Sequence, residues 1–199
     1  MLLWSPLKDT LVRCVNQKKL NKELIDIMKQ SKTLKLSKGN LLWHYSIIPY
    51  LLFLPILTTW DLLEYHVFYT YGGVRKPEFE TIELIFLFTT VFFYILQSKR
   101  LRFKKIIIST DKEKFKNALE ITAKELKWEI DFYSDNFVRA HRNWNWTGSW
   151  GEMITVIREK DQILINSICD PNTISSVLSW GMNGKNINTF KRNLKKAST

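Results

Sequence analysis

Two long apolar stretches near the middle of the chain constrain its fold more than any other feature. The first covers residues 43–60 and the second covers residues 81–98. A helix that crosses a membrane needs about 20 mainly apolar residues, and each stretch comes close to that length. Neither stretch has the polar stripe of a helix on the surface of a soluble protein. The sequence therefore predicts a transmembrane helical hairpin over residues 43–98.

Aromatic and basic residues around these stretches predict how the hairpin is oriented. Trp43, Tyr45 and Trp60 lie at the stretch ends, where amphipathic rings favour the headgroup level. Lysine and arginine are concentrated before the first stretch and directly after the second, whereas the connecting loop holds only Arg75 and Lys76. The positive-inside rule then places both termini in the cytoplasm and the short loop outside. Because this topology accounts for much of the net charge of +11, we expect no nucleic-acid polymer as a partner.

The segment before the hairpin, residues 1–42, is basic and has a helical pattern. Leu20, Leu24 and Ile27 recur at helical spacing, while the lysines fall mostly on other positions of the wheel. Two placements fit this amphipathic pattern. The helix lies on the anionic inner leaflet, or it packs against the C-terminal domain.

Residues 99–199 follow the order strand, helix, four strands, helix. Thr110 or Asp111 is placed to cap the first of these helices. Apolar and polar residues alternate over 128–133, a pattern typical of a half-buried strand. The order contains no strand followed by a Gly-rich turn and a helix, which excludes the common nucleotide-binding motifs. It predicts a cytoplasmic α+β domain with a mostly antiparallel sheet and two helices on one face.

The C-terminal domain resembles a small domain of uncharacterised bacterial membrane proteins that have two spans. The resemblance covers roughly residues 103–196. It includes Ser149-Trp150-Gly151-Glu152 at the start of a strand and Gly184-x-Asn186-x-x-x-Phe190 after a Trp-Gly pair. This resemblance implies the fold and no activity. The overall plan, two spans followed by a cytoplasmic domain, is also similar to that of membrane effectors in bacterial antiphage and CRISPR-linked defence.

The stretch His141–Glu152 is unusual because its three tryptophans lie close together and beside several cations. Aromatic rings stack on bases and cations bind phosphate, so one interpretation is a pocket for an anionic, nucleotide-like ligand. The alternative is a tryptophan-rich hairpin that packs on the domain core or enters the headgroup layer. The candidate ligand-binding residues here are Arg139, His141, Arg142, Trp144, Trp146 and Trp150.

A second candidate is the predicted loop 181–186 before the last helix. Backbone N–H groups at a helix N-terminus bind anions, and Lys185 and Asn186 would assist them. The alternative is simple N-capping by Asn183.

Catalytic and metal-binding signals are weak along the whole sequence. Glu152 and Asp170 are candidates to approach His141, but a general base also needs a substrate in reach. No CxxC, HExxH or His-rich motif is present, and no Ser or Cys has a recognisable nucleophile setting. We therefore predict no catalytic residue, no metal and no cofactor.

Three functions are compatible with this organisation. The preferred one is a membrane-anchored protein whose cytoplasmic domain is a binding or interaction module for another protein. The first alternative is a ligand-gated membrane effector, in which an anionic ligand makes the spans oligomerise or open. The second alternative is a membrane-bound enzyme that acts on lipid or nucleotide.

Overall fold

The computed structural model describes residues 22–72, 77–144, 151–172 and 181–198. The helices in these ranges are α1 Lys22–Ser31, α2 Lys38–His44, α3 Ile47–Leu63, α4 Pro77–Arg100, α5 Lys112–Leu126 and α6 Met182–Ser198, and a π-helical segment, Glu64–Phe68, directly follows α3. The strands are β1 Lys104–Ile107, β2 Glu129–Tyr133, β3 Phe137–Arg142, β4 Glu152–Arg158 and β5 Gln162–Cys169. The chain forms two compact units, one over 36–99 and the other combining the described residues of 1–35 and 100–199.

The unit over 36–99 contains the predicted spans. Among the described residues, the helices Ile47–Phe68 and Glu80–Arg100 are long and apolar enough to cross a membrane. A core helix of a soluble protein would be mostly buried, yet 0% of the apolar window in the first helix and 17% in the second is buried. The first helix begins at Ile47 and not at residue 43, because a turn separates α2 from α3. Ser37 caps α2, and its side chain accepts a hydrogen bond from the Asn40 N–H.

Polar side chains connect distant parts of this unit. His44 Nε2 lies 3.1 Å from the Gln97 carbonyl oxygen, and Gln97 Nε2 donates to the His44 carbonyl oxygen at 2.7 Å. Farther along the chain, His66 Nε2 lies 3.1 Å from Glu80 Oε1. The first pair joins residues before α3 to the last turn of α4, and the second joins the π-helical segment to the first turn of α4.

The other unit is built on a five-stranded antiparallel sheet in the order β1-β5-β4-β3-β2. Strands β2 to β5 pair with their neighbours in sequence, and β5 then pairs with β1. The α+β class and the antiparallel sheet are therefore confirmed. The predicted strand is present, but its regular alternation over 128–133 is interrupted, because a bulge between Ile130 and Phe132 shifts the β2 register. Ile130, on this edge strand, is exposed.

One apolar cluster unites α5, α6 and one side of the sheet. In α5 the buried residues recur at helical spacing, and Asp111 caps the helix by accepting a hydrogen bond from the Lys114 N–H. The Phe190 ring of α6 stacks on Trp128 at 6.3 Å and meets Phe115 edge-on at 6.2 Å. We call the sheet side that joins this cluster the cluster face; its residues are Ile106, Val138, Ala140, Ile154, Val156, Ile163 and Ile165.

Helix α1 belongs to the same compact unit as the sheet. Its Met28 is fully buried, and the segment after it pairs with the start of the C-terminal domain. The Phe103 N–H donates to the Lys32 carbonyl oxygen at 2.9 Å, and the Leu34 N–H donates to the Leu101 carbonyl oxygen at 2.8 Å. Two placements were predicted for the N-terminal helix, and its described residues pack against the C-terminal domain.

Candidate functional site

The three cations predicted on β3 do not converge on one pocket. Side chains alternate along a strand, so Arg139 and His141 lie on one face of the sheet and Arg142 lies on the other. Arg142 faces Glu152 across the β3–β4 pair, and its Nη1 lies 3.8 Å from the buried Glu152 Oε2. Glu152 was a predicted neighbour of His141, but the strand register directs it to Arg142 instead.

His141 lies between two carboxylates of β2 that the sequence did not reveal as its partners. Its Nδ1 is 2.7 Å from Asp131 Oδ1, and its Nε2 is 3.4 Å from Glu129 Oε2. The side chains of His141 and Asp131 are each 13% exposed. Asp131 is the extra residue of the β2 bulge, and its side chain reaches His141 from there.

The Arg139 guanidinium is held in a partly buried and electrostatically mixed setting. It lies over the Phe137 ring, with 5.6 Å from Cζ to the ring centroid. Burial lowers the pKa of Arg139 below its ordinary value, and the charges of Asp131 and Asp170 act in the opposite direction. The Arg139 Nε has no hydrogen-bond partner among the described residues.

Arg139 is the first member of a line of polar side chains that crosses the sheet. Thr155 of β4 is directly opposite Arg139, and Asn166 of β5 is directly opposite Thr155. Thr155 is 0% exposed and Asn166 is 2% exposed. Within the described ranges, Thr155 Oγ1 and Asn166 Oδ1 lack hydrogen-bond partners, as Arg139 Nε does. We call these three residues the polar row and their side of the sheet the polar-row face.

The polar row lowers the free energy of unfolding. A buried polar atom without a partner costs about 1–3 kcal/mol. On one side of the row, the residues on the same face are the buried apolar Phe137, Ile157 and Leu164. On the other side, Met153 and Ile168 are also apolar and buried, and His141 lies next to Met153 on β3. Packing alone would favour an apolar side chain in the row as well.

The other half of the Asn166 amide reaches the end of α4. Its Nδ2 donates to the carbonyl oxygens of Arg100 and Arg102, at 2.8 and 3.0 Å. Arg100 is the last residue of α4, so its carbonyl has no partner in the helix. The polar row therefore ends at the C-terminal residue of α4, the helix that contains the second candidate span.

The aromatic part of the predicted pocket is described only at Trp144. This side chain follows β3 and is 47% exposed. The preceding residue, Asn143, donates from Nδ2 to Glu129 Oε1. Trp146 and Trp150 lie outside the described residues, as does Asn145.

The predicted anion-binding loop 181–186 is largely helical. Helix α6 starts directly after Gly181, and the Lys185 N–H donates to the Gly181 carbonyl oxygen at 3.0 Å. Lys185 is exposed, but Asn186 is fully buried and hydrogen-bonded. The Trp128 Nε1 donates to Asn186 Oδ1 at 3.1 Å, and Asn186 Nδ2 donates to Ser167 Oγ at 3.0 Å. Asn186 therefore fastens α6 to the sheet and does not extend toward a ligand beside Lys185.

No family model, curated protein or solved structure matches this chain. In the part of the chain that the structure describes, no group of three or more His, Cys, Asp or Glu side chains is arranged to hold a metal ion. The proposed function therefore depends on the charge pairing, burial and exposure of the residues above.

Proposed function

We propose that this protein is a membrane-anchored interaction module, with Trp144 at the centre of a surface that binds another protein. The observation that carries this proposal is a half-exposed tryptophan near a histidine that already contacts two carboxylates. An anionic small ligand needs cations that are free to bind it. Here His141 already faces the carboxylates of Asp131 and Glu129, which would repel an anion, so a polypeptide partner fits better than a nucleotide.

The composition of this surface matches that of a protein–protein contact. Tryptophan is enriched among the few residues that supply most of the binding energy, and polar groups typically surround them. Asn143 and Glu129 provide such polar groups beside Trp144.

The anchor in this proposal is an antiparallel pair of spans in the bacterial inner membrane, with both termini cytoplasmic. The contacts of His44 with Gln97 and of His66 with Glu80 support the antiparallel arrangement. In this proposal α5 and α6 both cover the cluster face of the sheet, and the apolar cluster that they share with this face supports the placement.

Site-specific photo-crosslinking in intact membranes tests this proposal. A photoreactive amino acid replaces Trp144 in one variant and Ile121 in a control, because these side chains are 47% and 46% exposed. We expect a discrete crosslinked protein adduct from position 144 and none from position 121. The same adducts from both positions, or none from either, would contradict a partner surface at Trp144.

One observation favours a second candidate, the ligand-gated membrane effector. Asn166 belongs to the polar row and also holds the carbonyl oxygens at the end of α4. A ligand that bound Arg139 and reorganised the polar row would change the hydrogen bonds from Asn166 to the end of α4. Because only residues 101–103 separate α4 from β1, such a change would occur close to the second candidate span. Such a mechanism requires two states of the domain that differ little in free energy.

Dye release from vesicles that contain the full chain distinguishes the second candidate from the first. The test variant is Asn166→Ala, and the control is Asn193→Ala, which removes a similarly buried amide that donates to α5. An effector predicts that only Asn166→Ala changes the rate of dye release. Equal rates in wild type and both variants would leave the interaction module as the better proposal.

A further inference from the structure

A separate group of cations lies at the opposite end of β3 from Trp144. There the structure has an open cleft of about 480 Å³, lined by Lys29, Asn136, Arg158, Glu159 and Lys160. Lys29 comes from α1, Asn136 precedes β3, and the other three residues form the end of β4 and the turn that follows. The cleft therefore depends on the packing of α1 with the C-terminal domain.

The charge of this cleft is not balanced by its own lining. Three cations and one carboxylate line it, and because Asp26 pairs with Lys29, the excess of positive charge comes from Arg158 and Lys160 against Glu159. Glu159 already accepts a hydrogen bond from Gln162 Nε2. Lys29 Nζ lies 3.3 Å from Asp26 Oδ1, while Lys160 is exposed. This differs from the Trp144 end, where His141 faces two carboxylates.

Arg158 is held in a fixed orientation in the cleft. Its Nε donates to the Asp135 carbonyl oxygen at 2.8 Å, its Nη1 donates to the Thr110 carbonyl oxygen at 3.1 Å, and its Nη2 donates to Asn136 Oδ1 at 3.4 Å. A guanidinium has five N–H donors, and each Nη carries two of them. One donor on each Nη is therefore left over, and such a pair suits the oxygens of a phosphate.

Two groups beside Arg158, the Asp135 carboxyl and the Thr110 hydroxyl, are also affected by the environment of the cleft. The Lys112 side chain, which forms an ion pair with Asp135, lowers the pKa of that carboxyl, and Arg158 adds to the effect. Thr110, whose carbonyl oxygen accepts from Arg158, has a buried hydroxyl without a partner in the described parts of the chain.

We propose that this cleft binds the phosphate group of a phosphomonoester, with Arg158 orienting the group and Lys29 and Lys160 supplying charge. The volume is in the range of pockets that hold whole small molecules, which is larger than one phosphate needs. The phosphate therefore belongs to a larger molecule, either a soluble phosphorylated compound or a lipid headgroup. This site is independent of the Trp144 surface. A failure of the photo-crosslinking test at Trp144 would therefore not contradict phosphate binding in the cleft, and the reverse also holds.

The experiment uses the full chain in phosphatidylcholine nanodiscs. One arm adds inorganic phosphate at constant ionic strength. The other arm replaces about a tenth of the phosphatidylcholine with phosphatidate, whose headgroup is a phosphomonoester. Hydrogen exchange of the segments that contain Lys29 and Arg158 reports binding. We expect slower exchange in at least one arm, and the arm that responds identifies the soluble or lipid source.

Two double variants with the same change of net charge make the test specific. Lys29→Gln with Lys160→Gln removes two cations of the cleft, and Lys116→Gln with Lys124→Gln removes two exposed lysines of α5. A hydrogen bond to a charged group contributes about 1.5–3 kcal/mol, so we expect the cleft variant to bind at least about tenfold more weakly. The α5 variant is expected to bind like wild type.

Two results would overturn the proposal. One is unchanged exchange in both arms for the wild-type protein. The other is equal weakening in the two double variants, since that outcome indicates nonspecific attraction of anions to a basic protein. Unchanged exchange of α5 and α6 in both variants serves as the control for folding.

Discussion

The two faces of the five-stranded sheet are built differently, although the same strands supply both. On the cluster face, apolar side chains pack with α5 and α6, and the charged groups Arg142 and Glu152 at the end of this face lie 3.8 Å from each other. On the polar-row face, Arg139, Thr155 and Asn166 cross a largely apolar surface beside His141, and each has a polar atom without a partner among the described residues. The comparison teaches that the cluster face provides stability, whereas the polar-row face retains groups that stability alone would not select.

The largest effect is expected at the centre of the cluster face. Phe190→Ala removes a fully buried ring that contacts Trp128 and Phe115, so we expect a loss of about 3–5 kcal/mol in the free energy of unfolding. Thermal unfolding of the full chain in detergent measures it. Ile121→Ala, on the exposed side of α5, is the control and is expected to change the melting temperature little. Similar losses in both variants would show that Phe190 is not part of the main core.

The next effect is expected where the polar row meets α4. Asn166→Ala removes the two hydrogen bonds to the carbonyl oxygens of Arg100 and Arg102, which we expect to cost about 1–3 kcal/mol. Hydrogen exchange should become faster in the last turn of α4 and in residues 101–103. If exchange there stays at the wild-type rate while the whole unit is destabilised, Asn166 has only a general packing role.

Adjacent substitutions on opposite faces compare the faces directly. Thr155→Val removes an unpartnered hydroxyl from the polar-row face, so we expect stability to be unchanged or to rise by about 1 kcal/mol. Val156→Thr places a hydroxyl in the apolar cluster, and we expect a loss of about 1–3 kcal/mol. Melting temperatures of the two variants provide the measurement. A loss in Thr155→Val as large as that in Val156→Thr would mean that the Thr155 hydroxyl is satisfied in the folded protein.

The smallest effect concerns pH and the helices that pack beside the cluster face. Hydrogen bonds from Arg192 and Asn193 lower the pKa of Glu125 below its usual value. A carboxyl with a lowered folded-state pKa stabilises the protein above its unfolded-state pKa, and this contribution disappears as pH falls through the folded-state value. We expect the melting temperature of Glu125→Gln to be slightly below that of wild type at neutral pH, and the two melting temperatures to become equal in acid. A difference independent of pH would indicate lost packing, and Glu120→Gln on the same helix is the control.

Much of the fold of the unit that contains the sheet was predictable from short-range patterns. The order strand, helix, four strands, helix agrees with the sequence prediction because turn residues separate the apolar runs. The regular alternation expected for β2 failed at Asp131, since no local pattern indicates one extra residue in a strand. The start of α6 was placed too late, because Gly184 and the asparagines around it resemble a loop although tertiary packing keeps them helical.

The candidate site was predictable only in part. The sequence placed Arg139, His141 and Arg142 near one another, but the separation of Arg142 from the other two follows from strand alternation. The partners of these cations lie on other strands, and their identity depends on register. Nothing local marks Lys29 and Arg158 as members of one cleft, because they come from distant parts of the chain.

The sequence by itself determined the two apolar helices, the order of strands and helices, and the uneven distribution of lysine and arginine. These properties depend on hydropathy and periodicity, which neighbouring residues express together. The tertiary structure decided that α1 joins the C-terminal domain, that His141 faces Asp131, and that Arg139, Thr155 and Asn166 align across the sheet. The reason is that such contacts are fixed by strand register and long-range packing, and a shift of one residue would send every side chain of a strand to the opposite face.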